Sequence, residues 1–418
     1  MLSGRTIAAG LLTGALLAGC TSGPSAPTGT PASTSPSVLA ATPSGTPSAT
    51  PTVASPSVPT GNVPVGTGAR LEVAPVDYGG STLVRASFAG RDRANRRPVA
   101  LQRKVGSSWQ EVAVAAMDSA GQADFVATGT GGVYRAVALA TKTATAAATP
   151  TATASDQWAG VLNSEFNGTA LGGPWGYRLT DVYDAGGRWC SAPRKANVVV
   201  GKGTATLTMS KASKAVTARV AASAKGKQVR AGQKATGCPE GVFDNAMVST
   251  QGRFTLAAGI VAARVKFPRE PGAHASVWLQ SDAGQELDMI ETFGYGRGIT
   301  NVIHVKGVKH PADAKQAYVV PRLVADPAWW EAWHTVSVEW DRNRVRFRLD
   351  GRLTRELTVT LAPANYFLVI SLLSSDWETY RLTKPDARPG SGVDATTVAK
   401  ARLPFSMQVD WVRAWRPR

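Results

Sequence analysis

Three carboxylates occur within six residues, at Glu286, Asp288 and Glu291. The residues between them are leucine, methionine and isoleucine, whereas an exposed charged run would also contain Lys, Ser or Gly. Read as a strand, the run puts Glu286 and Asp288 on one face. Strict alternation would turn Glu291 toward the core, where a lone carboxylate is costly. A β-bulge at the apolar pair 289–290 would return Glu291 to the acid face, so the pattern predicts a bulge there.

Acids on one strand face suit acid/base chemistry on a sugar. Retaining glycosidases use two carboxyls about 5–5.5 Å apart, one as nucleophile and one as acid/base. The Cα atoms of Glu286 and Glu291 would lie about 13 Å apart at roughly 3.3 Å per step, so their side chains must lean together on a concave sheet. Asp288 could hydrogen-bond Glu286 and keep the outer two pKa values apart. The alternative is a charged edge strand that discourages aggregation.

The acid run resembles the E-x-D-x-x-E signature of glycoside hydrolase family 16 in its bulged, laminarinase-like form. The resemblance covers residues 156–418 and also rests, in order, on 276–280 (SVWLQ), 333–335 (WHT), 339–340 (EW) with 350–351 (DG), and 409–413 (VDWVR). It implies an all-β fold, a concanavalin-like β-jelly roll with a glycan cleft across its concave face. By the same resemblance Glu286 is the nucleophile, Glu291 the acid/base and Asp288 their helper.

Four further residues are candidates for substrate binding. His274 stands where many relatives have a tryptophan that packs on sugar, and Trp278 is retained as an aromatic platform. Core packing is the alternative for Trp278. The resemblance turns His304 toward the cleft, although a strand histidine is often only buried and satisfied. The run 366–373 is apolar on both faces and predicts a central strand, and Trp377 follows it as a second platform.

A calcium site is one possibility in the catalytic region. Residues 163–168 (NSEFNG) resemble the family's D-E-F-x-G start, with Ser164 in place of the usual aspartate. Some relatives bind structural calcium near this motif and the aspartate of the closing strand, which is Asp410 here, and oxygen ligands suit calcium. Alternatively, Asp410 is a satisfied strand acid. No cofactor is expected for the chemistry itself.

Composition indicates an all-β chain of more than one domain. The 418 residues are 43% hydrophobic, with 42 Gly and 26 Pro, enough for sizeable cores joined by many turns. Short strand patterns every 8–12 residues or so across 65–142 predict a small β-sandwich that resembles bacterial immunoglobulin-like modules. We interpret it as a spacer, with glycan binding as the alternative. Residues 143–155 (TATAAATPTATAS) are expected to form a linker.

The first 64 residues predict export and anchoring. Residues 1–20 have a basic start, an apolar core too short to span a membrane, and an LAGC end that resembles a lipobox. Lipid on Cys20 would hold the mature chain on the outside of the cell membrane. An ordinary secretory signal is the alternative. Residues 21–64 are rich in Ser, Thr and Pro and predict a disordered tether reaching roughly 35–40 Å.

The remaining cysteines and the charge say less about function. Cys190 and Cys238 form an isolated pair, which in an exported protein predicts a disulfide, with two buried thiols as the alternative. The stretch 209–236 between them is expected to be an exposed excursion. The formal charge is +17, from 46 basic and 29 acidic residues. It suits an anionic envelope or is a habit of composition, and without a basic helix carrying aromatics it does not indicate nucleic acid.

These features favour a retaining endo-acting hydrolase of a β-linked polysaccharide. The resemblance makes β-1,3- or mixed-linkage glucan the first expectation, and the departure at His274 leaves galactans open. A transglycosylase on a surface polysaccharide would use the same residues. A non-catalytic glycan-binding or scaffolding lipoprotein is the alternative from another class, and the intact spacing of the three acids speaks against it. The chain is expected to act as a monomer.

Overall fold

The computed structural model describes residues 57–129, 131–182, 191–224, 228–230, 233–234, 241–270, 273–292, 294, 299–304, 317–318, 326–374 and 402–418. Cys20, Cys190, Cys238 and Trp377 lie outside these residues. The lipid anchor, the disulfide and the second sugar platform therefore stay predictions.

The N-terminal unit is a small β-sandwich with strands close to those expected from the sequence. Its strands are β1 (Arg70–Val73), β2 (Ser81–Ser87), β3 (Pro98–Val105), β4 (Ser108–Ala116), β5 (Gln122–Thr128), β6 (Tyr134–Ala138) and β7 (Ala147–Ala148), with a 3₁₀ turn at Gly90–Asp92. They form two antiparallel sheets, β1-β2-β5 and β4-β3-β6-β7. Alternation is clear in β5, where Ala123, Phe125 and Ala127 are buried and the residues between them are not. Side chains of both sheets share one core.

The sandwich uses residues on both sides of its expected limits. Strand β7 lies inside the segment expected as a linker and pairs with β6. Just beyond it, Ala152 exchanges backbone hydrogen bonds with Tyr134. Val63, expected in the tether, is 6% exposed and packs in a small cluster of the same unit. Alanine and threonine satisfy these edge positions because small side chains permit close backbone approach.

The C-terminal unit is a jelly roll of two facing sheets. In the described residues its strand order is β20-β19-β18-β17-β24-β15-β12-β25-β16-β21-β22-β23. The bounds are β8 (Trp158–Ser164), β9 (Gly176–Tyr177), β10 (Ser191–Pro193), β11 (Val198–Gly201), β12 (Thr204–Lys211), β13 (Gln228–Arg230), β14 (Gln233–Lys234), β15 (Phe243–Ser249), β16 (Gly259–Lys266), β17 (Ala273–Ser281), β18 (Glu286–Thr292), β19 (Ile299–His304), β20 (Ala317–Tyr318), β21 (His334–Trp340), β22 (Arg344–Leu349), β23 (Arg352–Thr358), β24 (Tyr366–Ser374) and β25 (Phe405–Pro417). The all-β jelly-roll expectation is confirmed.

The two sheets meet over one large apolar core. The central strand predicted over 366–373 is β24, whose nine residues are all buried and which pairs with β15 and β17. On β17 every second residue from Ala273 to Leu279 faces the core, opposite Val336 and Val338 of β21. This alternation leaves the other face of β17, β18 and β24 free to form the site described below.

Few helices occur in the described residues: α1 (Ala154–Gln157), α2 (Lys214–Ala224) and α3 (Pro327–Glu331), with a 3₁₀ turn at Lys195–Asn197. Helix α2 lies in the stretch 209–236 that was expected to be an exposed excursion, and residues 214–219 are exposed or half-buried. Its segment is rich in alanine, the strongest helix former, and lacks the apolar spacing by which helices are usually recognised. Within the described residues there is no helix long and apolar enough to cross a membrane.

The N-terminal sandwich, interpreted from the sequence as a spacer, packs on the C-terminal unit. Val76 is buried against Ile260, Ala262 and Trp411 on the outer face of the sheet that contains β16 and β25. The hydroxyls of Tyr78 and Ser337 lie 2.6 Å apart, and burial raises the pKa of Tyr78 to about 12.

Charged contacts continue the interface. Arg346 Nη1 lies 3.2 Å from Glu72 across it, and Arg346 Nε lies 3.3 Å from Glu356. Glu356 in turn lies 3.6 Å from Arg85 of the small sandwich. These contacts occupy the face of the jelly roll remote from the acid run.

Candidate active site

The acid run forms β18 and contains the predicted bulge. Trp278 of β17 pairs with Asp288, whereas the preceding residue, Val277, pairs with Ile290. Met289 is therefore the extra residue on β18. The register with β19 shifts at the same point, between Asp288 and Glu291. Met289 and Ile290 are each 1% exposed and both belong to the core. Two adjacent core residues therefore bring Glu291 to the side that carries Glu286 and Asp288.

Neighbouring strands complete the face that carries the acids. On β17, His274, Ser276, Trp278 and Gln280 alternate with the core residues and so share this face. Ser276 lies opposite Glu291 and Gln280 opposite Glu286 in the β17–β18 register. The site is thus a row of polar and aromatic side chains crossing the sheet, with the carboxylates on one strand.

Burial and mutual repulsion govern the protonation of two of the acids. Asp288 is 3% exposed, and its burial, together with the charge of Glu291, raises its pKa well above the ordinary range. Burial, followed by the charge of Asp288, likewise raises the pKa of Glu286. A hydrogen bond links the carboxyls of Glu286 and Asp288. Two such groups do not ionise together readily, so they retain a proton between them.

His304 faces the acids, as the sequence predicted. It lies opposite Glu286 in the β18–β19 register, with Nε2 3.3 Å from Asp288 Oδ2 and 3.9 Å from Glu286 Oε1. Donor atoms of Glu286, Asp288 and His304 lie within 4.8 Å of one another, which is compact enough for a metal ion. The same short distances would also let the three groups exchange protons without a metal. A positively charged imidazole would lower the pKa of Glu286.

His274 contacts the third acid. Its Nε2 lies 2.8 Å from Glu291 Oε1, and both side chains are 17% exposed. The residue predicted as a substrate contact is therefore first a partner of the expected acid/base. By contrast, His334 is structural: its ring bonds Asp350 and the carbonyl of Trp329 and stacks on the Trp329 ring.

Trp278 lies on the acid face and not in the main core. Its Nε1 donates to Ser371 Oγ of β24 at 3.1 Å, and its ring packs beside Phe367 and Val369 of the same strand. The ring is thereby held rigidly next to Asp288, its cross-strand neighbour. A fixed, half-buried indole beside carboxylates is a suitable platform for the apolar face of a sugar.

Arg178 is a site residue that sequence reasoning missed. It follows β9, and its guanidinium carbon lies 5.2 Å from the Trp278 ring centroid and 5.1 Å from that of Phe367. Its Nη2 donates to Gln280 Oε1, a partner 102 residues away. Burial lowers the pKa of Arg178 to about 10, while the charge of Glu286 acts in the opposite direction. No local pattern in the sequence predicts such a long-range contact.

Asp410 forms an ion pair with an arginine of the neighbouring strand β16, and the calcium site stays a prediction. Its Oδ2 accepts a hydrogen bond from Arg264 Nη1 at 2.6 Å, so a cation already neutralises it. In the part of the chain that the structure describes, it belongs to no group of three close acidic, histidine or cysteine side chains. Ser164, the departure from the family's motif, accepts a hydrogen bond from Trp175 Nε1 at 2.9 Å and so has a structural role.

One family model matches part of this chain. The profile of glycosyl hydrolases family 16 matches residues 189–390, just under half of the chain and including all three acids. The chain is a glycoside hydrolase by this match. No curated protein matches the chain.

Solved structures with a similar fold include several laminarinases. The catalytic domain of an endo-1,3-β-glucanase from Thermotoga petrophila RKU-1 is 17% identical, with a TM-score of 0.45, covering 63% of this chain and 99% of its own. The endo-β-1,3-glucanase of Pyrococcus furiosus is 17% identical, with a TM-score of 0.45, covering 63% of this chain and 96% of its own. The laminarinase of Flavobacterium sp. UMI-01 is 16% identical, with a TM-score of 0.44, covering 62% of this chain and 100% of its own.

Proposed function

We propose that the protein is a retaining, endo-acting β-glycan hydrolase. The observation that carries the proposal is the bulge of β18, which brings Glu286, Asp288 and Glu291 to one face beside an aromatic platform. A charged edge strand, the alternative interpretation, would lie at the border of a sheet. Here β18 is paired on both sides, so its acids are not there to prevent edge pairing.

The reaction would proceed by double displacement. The carboxylate of Glu286 attacks the anomeric carbon while Glu291 gives its proton to the leaving glycosidic oxygen, so that the glycosyl–Glu286 ester forms as the glycosidic bond breaks. Water then gives a proton to Glu291 and its oxygen attacks the same carbon. The ester bond breaks, Glu286 leaves as carboxylate, and the sugar keeps its configuration.

Asp288 suits the role of proton holder for the nucleophile. It is the more deeply buried of the pair, and its burial opposes the charged form more strongly than its hydrogen bond with Glu286 favours that form. A proton held on Asp288 would leave Glu286 as the carboxylate that faces the sugar. His304 would favour that ionised form of Glu286 by its own positive charge. His274 would fix the orientation of Glu291 through the hydrogen bond between them.

The family supports a β-linked polysaccharide as substrate, and β-1,3- or mixed-linkage glucan is the first to test. Transfer to a sugar acceptor instead of water would use the same intermediate. We further propose that Cys20 carries lipid and holds the enzyme on the outside of the cell membrane, and that Cys190 and Cys238 form a disulfide. In the alternative function, a glycan-binding lipoprotein without catalysis, the three acids would only contact the bound glycan.

The first test compares the full chain with its Glu286→Gln variant on β-1,3-glucan, mixed-linkage glucan and β-galactan. New reducing ends and product lengths are measured. We expect oligosaccharides from one polymer with the wild type, and roughly 10³–10⁶-fold slower release with the variant, because the nucleophile is lost. Glu331→Gln, an exposed change of the same kind, is the matched control. Full activity in Glu286→Gln would refute the assignment.

Azide separates the two catalytic roles. In a Glu291→Ala variant, azide would attack the glycosyl–Glu286 ester and yield a β-glycosyl azide, because two inversions still occur. In Glu286→Ala, azide would displace the leaving group directly and give the α-azide. The anomeric configuration of each product, read by proton NMR, therefore identifies nucleophile and acid/base independently of rate. The opposite pairing of variant and product would reverse the two roles.

A further inference from the structure

Arg178 lies across the floor of the catalytic face. Its backbone N–H donates to the carbonyl of Met247 in β15 at 3.1 Å, which fixes the start of the side chain. From there the guanidinium reaches over β24 to β17, with its carbon 5.1 Å from the Phe367 ring centroid and 5.2 Å from that of Trp278. Both rings belong to the apolar cluster on the acid side of the sheet.

Of the two terminal nitrogens of Arg178, one has a hydrogen-bond partner among the described residues and the other has none. Nη2 donates to Gln280 Oε1. Nη1 is buried and has no hydrogen-bond partner among the described residues. Within those residues Arg178 also forms no ion pair, whereas Arg85, Arg264 and Arg413 each contact a carboxylate. A buried donor without an acceptor costs about 1–3 kcal/mol, and more when it is charged.

The position of Arg178 relates it to the reacting sugar. Gln280, which accepts from Arg178, lies directly opposite Glu286 in the β17–β18 register. Side chains so paired have Cβ atoms about 4.5–5.5 Å apart. A group bound to Arg178 would therefore belong to a sugar at or next to the one that Glu286 attacks.

The positive charge of Arg178 determines which chemical group of the substrate would bind it. A sugar hydroxyl could accept from Nη1, but it would leave the guanidinium without a carboxylate in contact. Burial opposes its positive form there, and among the described residues only the charge of Glu286, which forms no ion pair with it, acts in the other direction. A carboxylate or a sulfate ester satisfies both the donor and the charge, because each offers more than one anionic oxygen to the guanidinium.

We propose that Arg178 forms a subsite for an oxyanionic substituent, a hexuronate carboxylate or a sulfate ester, on a sugar beside the scissile bond. This rests on the proposed function, since it names the class of glycan that the hydrolase takes. The formal charge of +17 acts in the same direction, because it concentrates an anionic polymer near the protein.

The test uses arginine side-chain NMR on the full chain. The Nε–Hε signal of Arg178 is assigned by its loss in Arg178→Lys, which keeps the charge. The chain is then titrated with four single sugars at constant ionic strength: glucuronate, glucose 6-sulfate, and the neutral counterparts glucuronamide and glucose. Arg264 is the internal reference, because it too lies over a tryptophan, Trp333, but is already paired with Asp410.

We expect the Arg178 signal to move saturably with glucuronate, with glucose 6-sulfate or with both, at a Kd at least about tenfold below that of the neutral sugars. The better anion identifies the substituent as carboxylate or sulfate. The proposal is overturned if neither anion moves the signal, if the neutral sugars move it equally, or if Arg264 moves in parallel. The first result would leave Arg178 as an electrostatic partner of Glu286 alone.

Hydrolysis is followed separately, so the two proposals fail in different ways. If the wild type cleaves a neutral glycan and Glu286→Gln does not, while no anion binds at Arg178, the hydrolase stands and the subsite falls. If anions bind at Arg178 and neither a neutral nor an anionic glycan is cleaved, the anion site at Arg178 stands and the hydrolase falls.

Discussion

Replacing Asp288 by Asn should change how the stability of the protein depends on pH. Carboxylate oxygens of Asp288 and Glu286 lie within 4.8 Å of each other, so two full charges there would repel by about 3.5 kcal/mol or more at an effective dielectric constant of about 20. Burial adds to this cost, and both pKa values are raised in the folded protein. An Asn amide fills the same space without charge.

The sign follows from proton linkage. A carboxyl whose pKa is raised by folding gives its full stability below its unfolded pKa, near 4, and loses it as the pH rises through the folded value. The wild type should therefore lose stability from pH 4 to pH 8 through this pair. Asp288→Asn should lose less, because Glu286 is still buried but no longer has a charged Asp288 beside it. We expect the free energy of unfolding of the variant, relative to wild type, to rise by about 2–4 kcal/mol over that range.

Thermal unfolding at pH 4, 6 and 8 measures this difference. At roughly 2–4 °C per kcal/mol, the relative Tm of the variant should rise by about 4–16 °C between the extremes. Asp282→Asn, an exposed change on the turn that joins β17 to β18, should show no such trend. A difference between Asp288→Asn and wild type that stays constant or shrinks with pH would refute the proposed charge repulsion.

Three other substitutions test the fold and the platform. Gly259→Ala should cost more than about 2 kcal/mol in urea unfolding, because at φ +147° its Cβ would lie 2.1 Å from the carbonyl oxygen of Trp415. Val76→Asp should lower stability by about 2–4 kcal/mol, since it buries a charge between the two sandwiches, whereas Val126→Asp, at a position 63% exposed, should change it little. Trp278→Ala in the Glu286→Gln background should weaken oligosaccharide binding about 3–10-fold, measured by calorimetry, and Trp278→Phe should retain most of it.

The sequence predicted what depends on local alternation. Core residues on both sides of Asp288 left a bulge as the consistent solution, and the structure contains it with Met289 as the extra residue. The same logic identified β24, where apolar residues on both faces require a central strand. His304 was expected from the family resemblance and not from alternation, and it lies opposite Glu286.

Contacts between distant segments could not be predicted in this way. The partnership of His274 and Glu291 depends on the register after the bulge, which no local pattern fixes. Arg178 lies in a short, Gly-containing stretch without period, and its partner Gln280 comes 102 residues later. The docked sandwich was missed because Val76 and Tyr78 look like ordinary surface residues until the sheet that covers them is known.

The bulge explains how a stable core and an unstable cluster of acids coexist on one strand. Three of the seven residues of β18, namely Leu287, Met289 and Ile290, are anchored in the main core, and a fourth, Thr292, is fully buried. Their burial holds the strand in place although the carboxyls on the other face repel one another. A bulge also bends its strand and increases the local twist, which turns the outer acids toward each other. The same extra residue therefore meets the demand of the core for apolar side chains and the demand of the chemistry for convergent carboxylates.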